Sequence, residues 1–119
     1  MRVDKQLASV QSDFQRIDIF ESVEFGRIMT LDGLLMLTEK DEFIYHEMIT
    51  HIPMATNPNI RNILVIGAGD GGTVRELVRY PSIEHIDVAE IDEMVVELSK
   101  KYLQFTACGF YDPRVDVHI

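Results

Sequence analysis

The segment Ile63–Gly72 constrains the fold of this chain more than any other stretch. It begins with four apolar residues, Ile63 to Ile66, a continuous run that predicts a strand covered on both faces, as in a parallel sheet. The glycines that follow have the G-x-G-x-x-G spacing: Gly67, Gly69 and Gly72. Glycines at this spacing allow a tight turn and let a ligand approach the bare backbone.

A helix and a second strand are predicted after the glycines. Val74, Leu77 and Val78 have helical spacing, and we expect Pro81 to end that helix. The next strand ends near Glu90, which lies ~20 residues past the turn, where an acidic side chain can accept both hydroxyls of a ribose. We therefore expect a site for an adenosine-type ligand. The alternative is a glycine turn that only connects strand to helix, but the helix and the distant acid both favour the site.

The residues before this unit have a different pattern. Short apolar segments around residues 14–20, 26–31 and 34–37 predict strands, and Asp32-Gly33 predicts a two-residue hairpin turn. A helix is expected from about Asp41 to Met54, ended by Pro53 and Asn57-Pro58. Its apolar stripe consists of Ile44, Met48 and Ile52, with Tyr45 and Ile49 beside it. We divide the chain into an antiparallel β meander (1–38), a linking helix (39–59) and a Rossmann-like unit (60–119).

The last third of the chain continues the strand and helix alternation. Asp92 is a candidate cap for a helix that runs to about Phe105, and Cys108–Arg114 is predicted to be a loop. Alternating apolar residues from Val115 to Ile119 predict a third parallel strand. The fold class is therefore α/β, with an incomplete parallel sheet. Because three strands leave an apolar edge, we expect a fragment of a longer protein; the alternative is a mini-domain completed by oligomerisation.

The composition limits the partners. A net charge of −9 over 119 residues argues against nucleic-acid binding through phosphate neutralisation and suits a cationic small molecule, although solubility alone also explains it. No apolar run approaches the ~20 residues of a membrane span, so no membrane partner is expected. The single cysteine, Cys108, allows no internal disulfide and suits a cytoplasmic location.

Several segments together resemble the spermidine synthases (polyamine aminopropyltransferases), from about Phe14 to Ile119. They are Leu31-Asp32-Gly33, residues 38–48 (TEKDEFIYHEM), residues 67–72 (GAGDGG), Glu90-Ile91-Asp92, Ser99-Lys100-Lys101 and residues 112–115 (DPRV). Ala68 stands where glycine is common in the family, a difference that should matter little, and Met36 stands where some members have glutamine. The glycine turn alone is less specific, because class I methyltransferases share it.

The resemblance implies a fold, a reaction and a set of site residues. The fold is a class I methyltransferase-type sheet preceded by a small meander, in a cytoplasmic homodimer or homotetramer. The reaction is aminopropyl transfer from decarboxylated S-adenosylmethionine, a co-substrate, to putrescine, which gives spermidine and methylthioadenosine without a further cofactor or metal. The donor-binding residues would be Gln15, Gly67, Gly69 and Glu90. The polyamine-binding residues would be Tyr45, His46 and Asp70. The family's catalytic aspartate would lie beyond Ile119, so this chain alone is expected to be inactive.

Asp70 agrees with this chemistry on physical grounds. A carboxylate here would repel the carboxylate of S-adenosylmethionine but attract the ammonium of the decarboxylated donor. The alternative is that Asp70 only caps the following helix. A methyltransferase, a nicotinamide dehydrogenase and a non-catalytic relative remain open. His46 and His51 lie on different faces of the predicted helix, which argues against a metal site.

Overall fold

The first part of the chain is an antiparallel meander. The computed structural model describes residues 1–119, which form two compact units, Met1–Glu42 and Phe43–Ile119. The first unit is a sheet with the strand order β1-β2-β3-β4. Its strands are β1 (Lys5–Gln11), β2 (Arg16–Ser22), β3 (Gly26–Leu31) and β4 (Leu34–Thr38). The predicted meander is confirmed, with β1 as an additional strand whose few apolar residues gave little signal.

The turns of the meander follow from local chemistry. Asp32 (φ 51°) and Gly33 (φ 78°) both have positive φ, and Leu31 pairs with Leu34 across this two-residue loop. Two positive φ values match the twist of the flanking strands, as the Asp-Gly pair predicted. Residues 12–15 form a turn before β2, so Phe14 lies outside the strand to which the apolar pattern assigned it.

The second unit contains a parallel sheet with the order β5-β6-β7. In chain order its elements are α1 (Glu42–Thr56), β5 (Asn62–Ile66), α2 (Gly72–Leu77), β6 (His85–Ala89), α3 (Glu93–Tyr102), α4 (Gln104–Ala107), a 3₁₀ helix (Cys108–Tyr111) and β7 (Val115–His118). The predicted Rossmann-like order is confirmed. One face of the sheet packs on the helices, with a core formed by Met54, Val74, Leu77, Ile83, Ile86, Val88, Val96, Ala107 and Phe110.

Several element boundaries differ from the sequence prediction, among them the end of α3, which lies at Tyr102 rather than near Phe105. Helix α2 ends at Leu77, before Pro81, and Cys108–Tyr111, predicted to be loop, is helical. Pro53 lies inside α1 rather than ending it, because its carbonyl still accepts a hydrogen bond from Asn57 N at 3.0 Å. The cap of α3 is as predicted, since the Asp92 side chain accepts a hydrogen bond from Met94 N.

The buried face of α1 is not the apolar stripe that the sequence suggested. Ile44, Met48 and Ile52, which form the apolar stripe, are 58%, 58% and 55% exposed. The buried positions recur every four residues and are mostly polar: Glu42, His46, Thr50 and Met54. The helix therefore turns a polar stripe inward. None of the helices combines the length and the apolar content that a bilayer crossing requires.

Arg114 joins β7 to the segment between α2 and β6. Its guanidinium donates hydrogen bonds to three backbone carbonyl oxygens: those of Val78 at 2.6 Å, Tyr80 at 2.8 Å and Ile83 at 3.1 Å. Asp112 pairs with the same guanidinium at 3.0 Å and orients it. The Asp-Pro-Arg segment thus has a structural role at the base of the sheet.

Glu76 is the centre of a charged network on α2. Its side chain is 4% exposed and pairs with Arg79 at 2.9 Å, with Arg75 at 3.1 Å and with His51 of α1 at 3.0 Å. Burial acts to raise the pKa of Glu76, but these partners outweigh it and hold the pKa below the ordinary value of 4.5. The network ties α1 to α2.

Candidate functional site

The glycine turn lies at the carboxyl end of β5, where ligand sites of open α/β sheets are found. Gly67 has φ 78° and donates a backbone hydrogen bond to the Ala89 carbonyl at 2.8 Å, which holds the turn against the end of β6. Ala68 follows with φ 64°, also in the left-handed region, where a side chain costs about 1–2 kcal/mol. The departure from the family's glycine at this position therefore has an energetic cost.

Glu90 is fixed beside this turn. Its Oε2 accepts a hydrogen bond from Gly69 N at 2.9 Å, and its Oε1 accepts one from Asp92 N at 3.1 Å. A Cβ added to Gly69 would lie 2.8 Å from Glu90 Oε2, so only glycine permits this approach. The carboxylate is held by backbone donors at the end of β6, and each oxygen has a further lone pair with which to accept a hydroxyl hydrogen.

Asp70 occupies the other side of the turn, just before α2. Its Oδ1 accepts a hydrogen bond from Gly72 N at 2.7 Å and lies 3.2 Å from His46 Nε2. Burial acts to raise the pKa of Asp70, but the hydrogen bonds from His46 and Gly72 outweigh it, and the pKa lies below the ordinary value of 3.8. Asp70 is therefore an anion at neutral pH, with 18% of its side chain exposed.

His46 and Tyr45 differ sharply in exposure. His46 is 3% exposed, whereas its neighbour Tyr45 is 63% exposed, and the two rings meet edge to face with centroids 5.3 Å apart. Gln15 lies in the turn of the first unit, where its backbone N–H donates to the Ser12 hydroxyl at 3.1 Å. The second unit thus contains the glycine turn, Glu90, Asp70 and the two ring residues.

Two contacts of the site were not predicted from the sequence. One is the pairing of His46 with Asp70. The other is the approach of the His46 ring to Gly72, where an added Cβ would lie 2.2 Å from Cε1. No spacing rule connects α1 to the turn after β5, so spacing predicted neither contact; the family resemblance put His46 and Asp70 in one site without predicting that they pair.

A separate polar cluster lies on β6 and β7. One ligand atom each of His85, Asp87 and Asp116 falls within 4.8 Å of the others, a separation that a metal ion could bridge. Asp87 Oδ1 already accepts hydrogen bonds from His85 at 3.1 Å and from His118 at 2.7 Å. His85 and Asp87 therefore already have hydrogen-bond partners within the chain.

Comparison with protein families matches both parts of the chain. The spermine/spermidine synthase domain matches residues 42–119, and the spermidine synthase tetramerisation domain matches residues 1–39. The chain belongs to the spermidine synthase family. The resemblance seen in the sequence segments is therefore confirmed.

Individual relatives agree with the family. The chain is 68% identical to a polyamine aminopropyltransferase of Alkaliphilus oremlandii over 99% of its length, and 68% identical to one of Clostridium botulinum over 98%. It spans 42% and 41% of these relatives. A solved spermidine synthase of Thermotoga maritima is 50% identical to the chain, with a TM-score of 0.98. The match covers the whole of this chain and 42% of the Thermotoga chain. A spermidine synthase solved with the transition-state analogue AdoDATO has the same TM-score and identity, and 41% of it is covered.

Proposed function

We propose that this chain forms the donor and amine sites of an enzyme that transfers an aminopropyl group from decarboxylated S-adenosylmethionine to putrescine. The observation that carries this proposal is the Asp70 carboxylate, ionised at neutral pH beside the bare glycine turn. An anion there favours a donor that ends in an ammonium over one that also bears a carboxylate. The names of the relatives support the same reaction class.

The reaction sets the roles that we propose for the site residues. The nucleophilic amine forms a bond to the carbon beside the sulfonium, the C–S bond breaks, and methylthioadenosine leaves as a neutral thioether. Glu90 binds the ribose hydroxyls, and the backbone of Gly67 and Gly69 lets the nucleoside approach. Asp70 binds the ammonium of the aminopropyl group, which orients the reacting carbon for in-line attack.

The remaining residues complete this assignment. We assign Gln15 to the adenosine part of the donor, and Tyr45 and His46 to the polyamine end of the site. Tyr45 is exposed enough to contact a ligand, whereas His46 lies behind Asp70. No metal or further cofactor is needed, because the sulfonium is already a good leaving group.

The base that accepts the proton of the attacking amine is assigned outside residues 1–119. The lowered pKa of Asp70 makes it a poor base at neutral pH, and Glu90 is committed to the ribose in this assignment. The 119-residue chain, mixed with decarboxylated donor and putrescine, is expected to form no spermidine above the uncatalysed rate. Turnover by this chain would show that the base is among its own residues.

Calorimetric titration of the full-length protein separates the candidate functions. We expect tighter binding of decarboxylated S-adenosylmethionine than of S-adenosylmethionine, and no binding of NAD. Preference for S-adenosylmethionine would favour a methyltransferase, and binding of NAD alone a dehydrogenase; either result would overturn the proposal. Tight binding of the decarboxylated donor without turnover in the full-length protein would indicate a non-catalytic relative.

Assembly is proposed to involve the meander. The tetramerisation-domain match covers residues 1–39, and large apolar side chains are exposed there, with Val23, Leu34 and Met36 at 93%, 71% and 55%. We expect a homodimer or homotetramer in analytical ultracentrifugation, and a monomer at micromolar concentration would contradict this. We also propose a cytoplasmic location, because Cys108 is a free thiol.

A further inference from the structure

We propose that His46 is a positioning residue: its imidazole fixes the Asp70 carboxylate, and His46 affects the amine ligand through that carboxylate rather than by contact. This inference rests on the proposed function, because it concerns how the ammonium site is built. It differs from the simple assignment of His46 to the wall of the polyamine pocket.

The burial of His46 is the first observation. At 3% exposure, its ring has almost no surface to offer a ligand, although it lies one residue from the largely exposed Tyr45. Its Nε2 lies 3.2 Å from Asp70 Oδ1, within reach of a hydrogen bond in which the imidazole donates. His46 therefore faces the carboxylate.

The packing of the ring against Gly72 is the second observation. A Cβ on Gly72 would lie 2.2–2.4 Å from three ring atoms of His46, so the ring occupies the space that the missing side chain leaves. The backbone N–H of the same Gly72 donates to Asp70 Oδ1 at 2.7 Å. Gly72, which packs against the His46 ring, is thus also the second hydrogen-bond donor to the Asp70 carboxylate.

The two donors converge on one oxygen of Asp70. Gly72 N donates to Oδ1 at 2.7 Å, and His46 Nε2 lies 3.2 Å from the same oxygen. Donors from two elements, α1 and the start of α2, restrain the rotation of the carboxylate that we propose binds the ammonium. Restraint of this kind preserves binding energy, because less side-chain freedom is lost when the ligand binds.

A double-mutant cycle in the full-length protein tests this inference. The single variants are His46→Leu, which removes the donor, and Asp70→Asn; the ligands are decarboxylated S-adenosylmethionine and methylthioadenosine, which lacks the amine. We expect His46→Leu to weaken binding of the amine ligand about tenfold, the size of one hydrogen bond to a charged group, with little change for methylthioadenosine. In the Asp70→Asn background, His46→Leu should weaken binding of the amine ligand by less than about twofold.

Each other result overturns the inference. If the binding free energies lost in the two single variants add up in the double variant, His46 contacts the ligand independently of Asp70. Equal losses for both ligands, or none for the amine ligand, would mean that the ring only fills space or has no role. His46→Gln keeps a side-chain donor, so it should retain most of the amine affinity.

A ligand-free measurement keeps this test separate from the proposed function. Carbon NMR titration of the Asp70 carboxyl should show a higher pKa in His46→Leu than in the unmodified protein, because one donor to the carboxylate is lost. Thr50→Val is the matched control: Thr50 lies one turn further along the buried stripe of α1, is 2% exposed and has an unpartnered hydroxyl. Thr50→Val should change neither the pKa nor ligand binding. An unchanged pKa in His46→Leu would refute the positioning role whatever the ligand proves to be.

Discussion

Replacing Gly72 with alanine tests the packing around which the candidate site is built. The new Cβ would lie 2.2 Å from Cε1, 2.3 Å from Nδ1 and 2.4 Å from Nε2 of His46, whereas carbon atoms in contact are about 3.5–4.0 Å apart. Gly72 does not have a positive φ, so the substitution changes sterics without adding backbone strain. Because the His46 ring is 3% exposed, it has little room to move aside.

The expected cost follows from these contacts. Overpacking of this kind costs about 1–3 kcal/mol. At about 2.1 cal/mol/K per residue, 119 residues have an unfolding entropy of about 250 cal/mol/K, so Gly72→Ala should lower the Tm by about 4–12 °C. Thermal melts followed by circular dichroism measure the shift.

The control removes the ring that the alanine would meet. In a His46→Ala background the added Cβ has space, so Gly72→Ala should cost almost nothing further. A Tm decrease of the same size in both backgrounds would refute the reasoning, because the penalty would then not come from the contact with His46.

Three further changes test the rest of the fold. Ala68→Gly should raise the free energy of unfolding by about 0.5–1 kcal/mol in urea, because relief of the left-handed backbone exceeds the added entropy of the unfolded chain, and a decrease would contradict this. Arg114→Ala should lower the free energy of unfolding by about 2–4 kcal/mol, since three backbone carbonyls lose their hydrogen-bond donor. The control, Arg61→Ala, breaks the exposed ion pair with Glu84 and should cost less than about 1 kcal/mol. Equal losses of stability in the Arg61 and Arg114 variants would contradict the structural role of Arg114. Because the pKa of Glu76 is lowered, its ionised form contributes stability that is complete above pH 4.5 and is lost as the pH falls below this value. Glu76→Gln should therefore flatten the acid side of the stability profile, and an unchanged slope would count against the network.

The parts of the fold that were predictable depend on local chemistry. The apolar run before Gly67 predicted β5, the Asp-Gly pair predicted the hairpin, and Asp92 predicted the start of α3. Each of these signals lies within a few residues of the feature that it specifies. The end of α2 and the 3₁₀ helix were predicted incorrectly, because packing against neighbouring elements decides where short helices end.

The orientation of α1 could not be read from its sequence. The helix carries one stripe of apolar residues and one of polar residues at four-residue spacing, and hydrophobicity alone favours burial of the first. The structure buries the second, in which His46 meets Asp70 and Gly72. Which face of α1 is buried depends on the residues that the face contacts in the fold. Helical periodicity carries no information about those contacts.

The candidate site was predictable in part. The glycine turn and Glu90 follow from spacing, and their contact through Gly69 N and Glu90 Oε2 is present at 2.9 Å. The pair of His46 and Asp70 joins elements that are distant in the sequence, so only the fold reveals it. The resemblance to the spermidine synthases assigned Asp70 to the site, and an argument from the charge of the ligand agreed with that assignment.

The most direct test of the proposed chemistry compares two ligands on one variant. Calorimetry of the full-length protein and of Asp70→Asn should be carried out with decarboxylated S-adenosylmethionine and with methylthioadenosine. Loss of a charge-assisted hydrogen bond to the ammonium should weaken binding of the first about 10- to 100-fold, with less than about a twofold effect on the second. Equal weakening of both ligands, or unchanged binding of the amine ligand, would contradict the role of Asp70 as the group that recognises the aminopropyl ammonium.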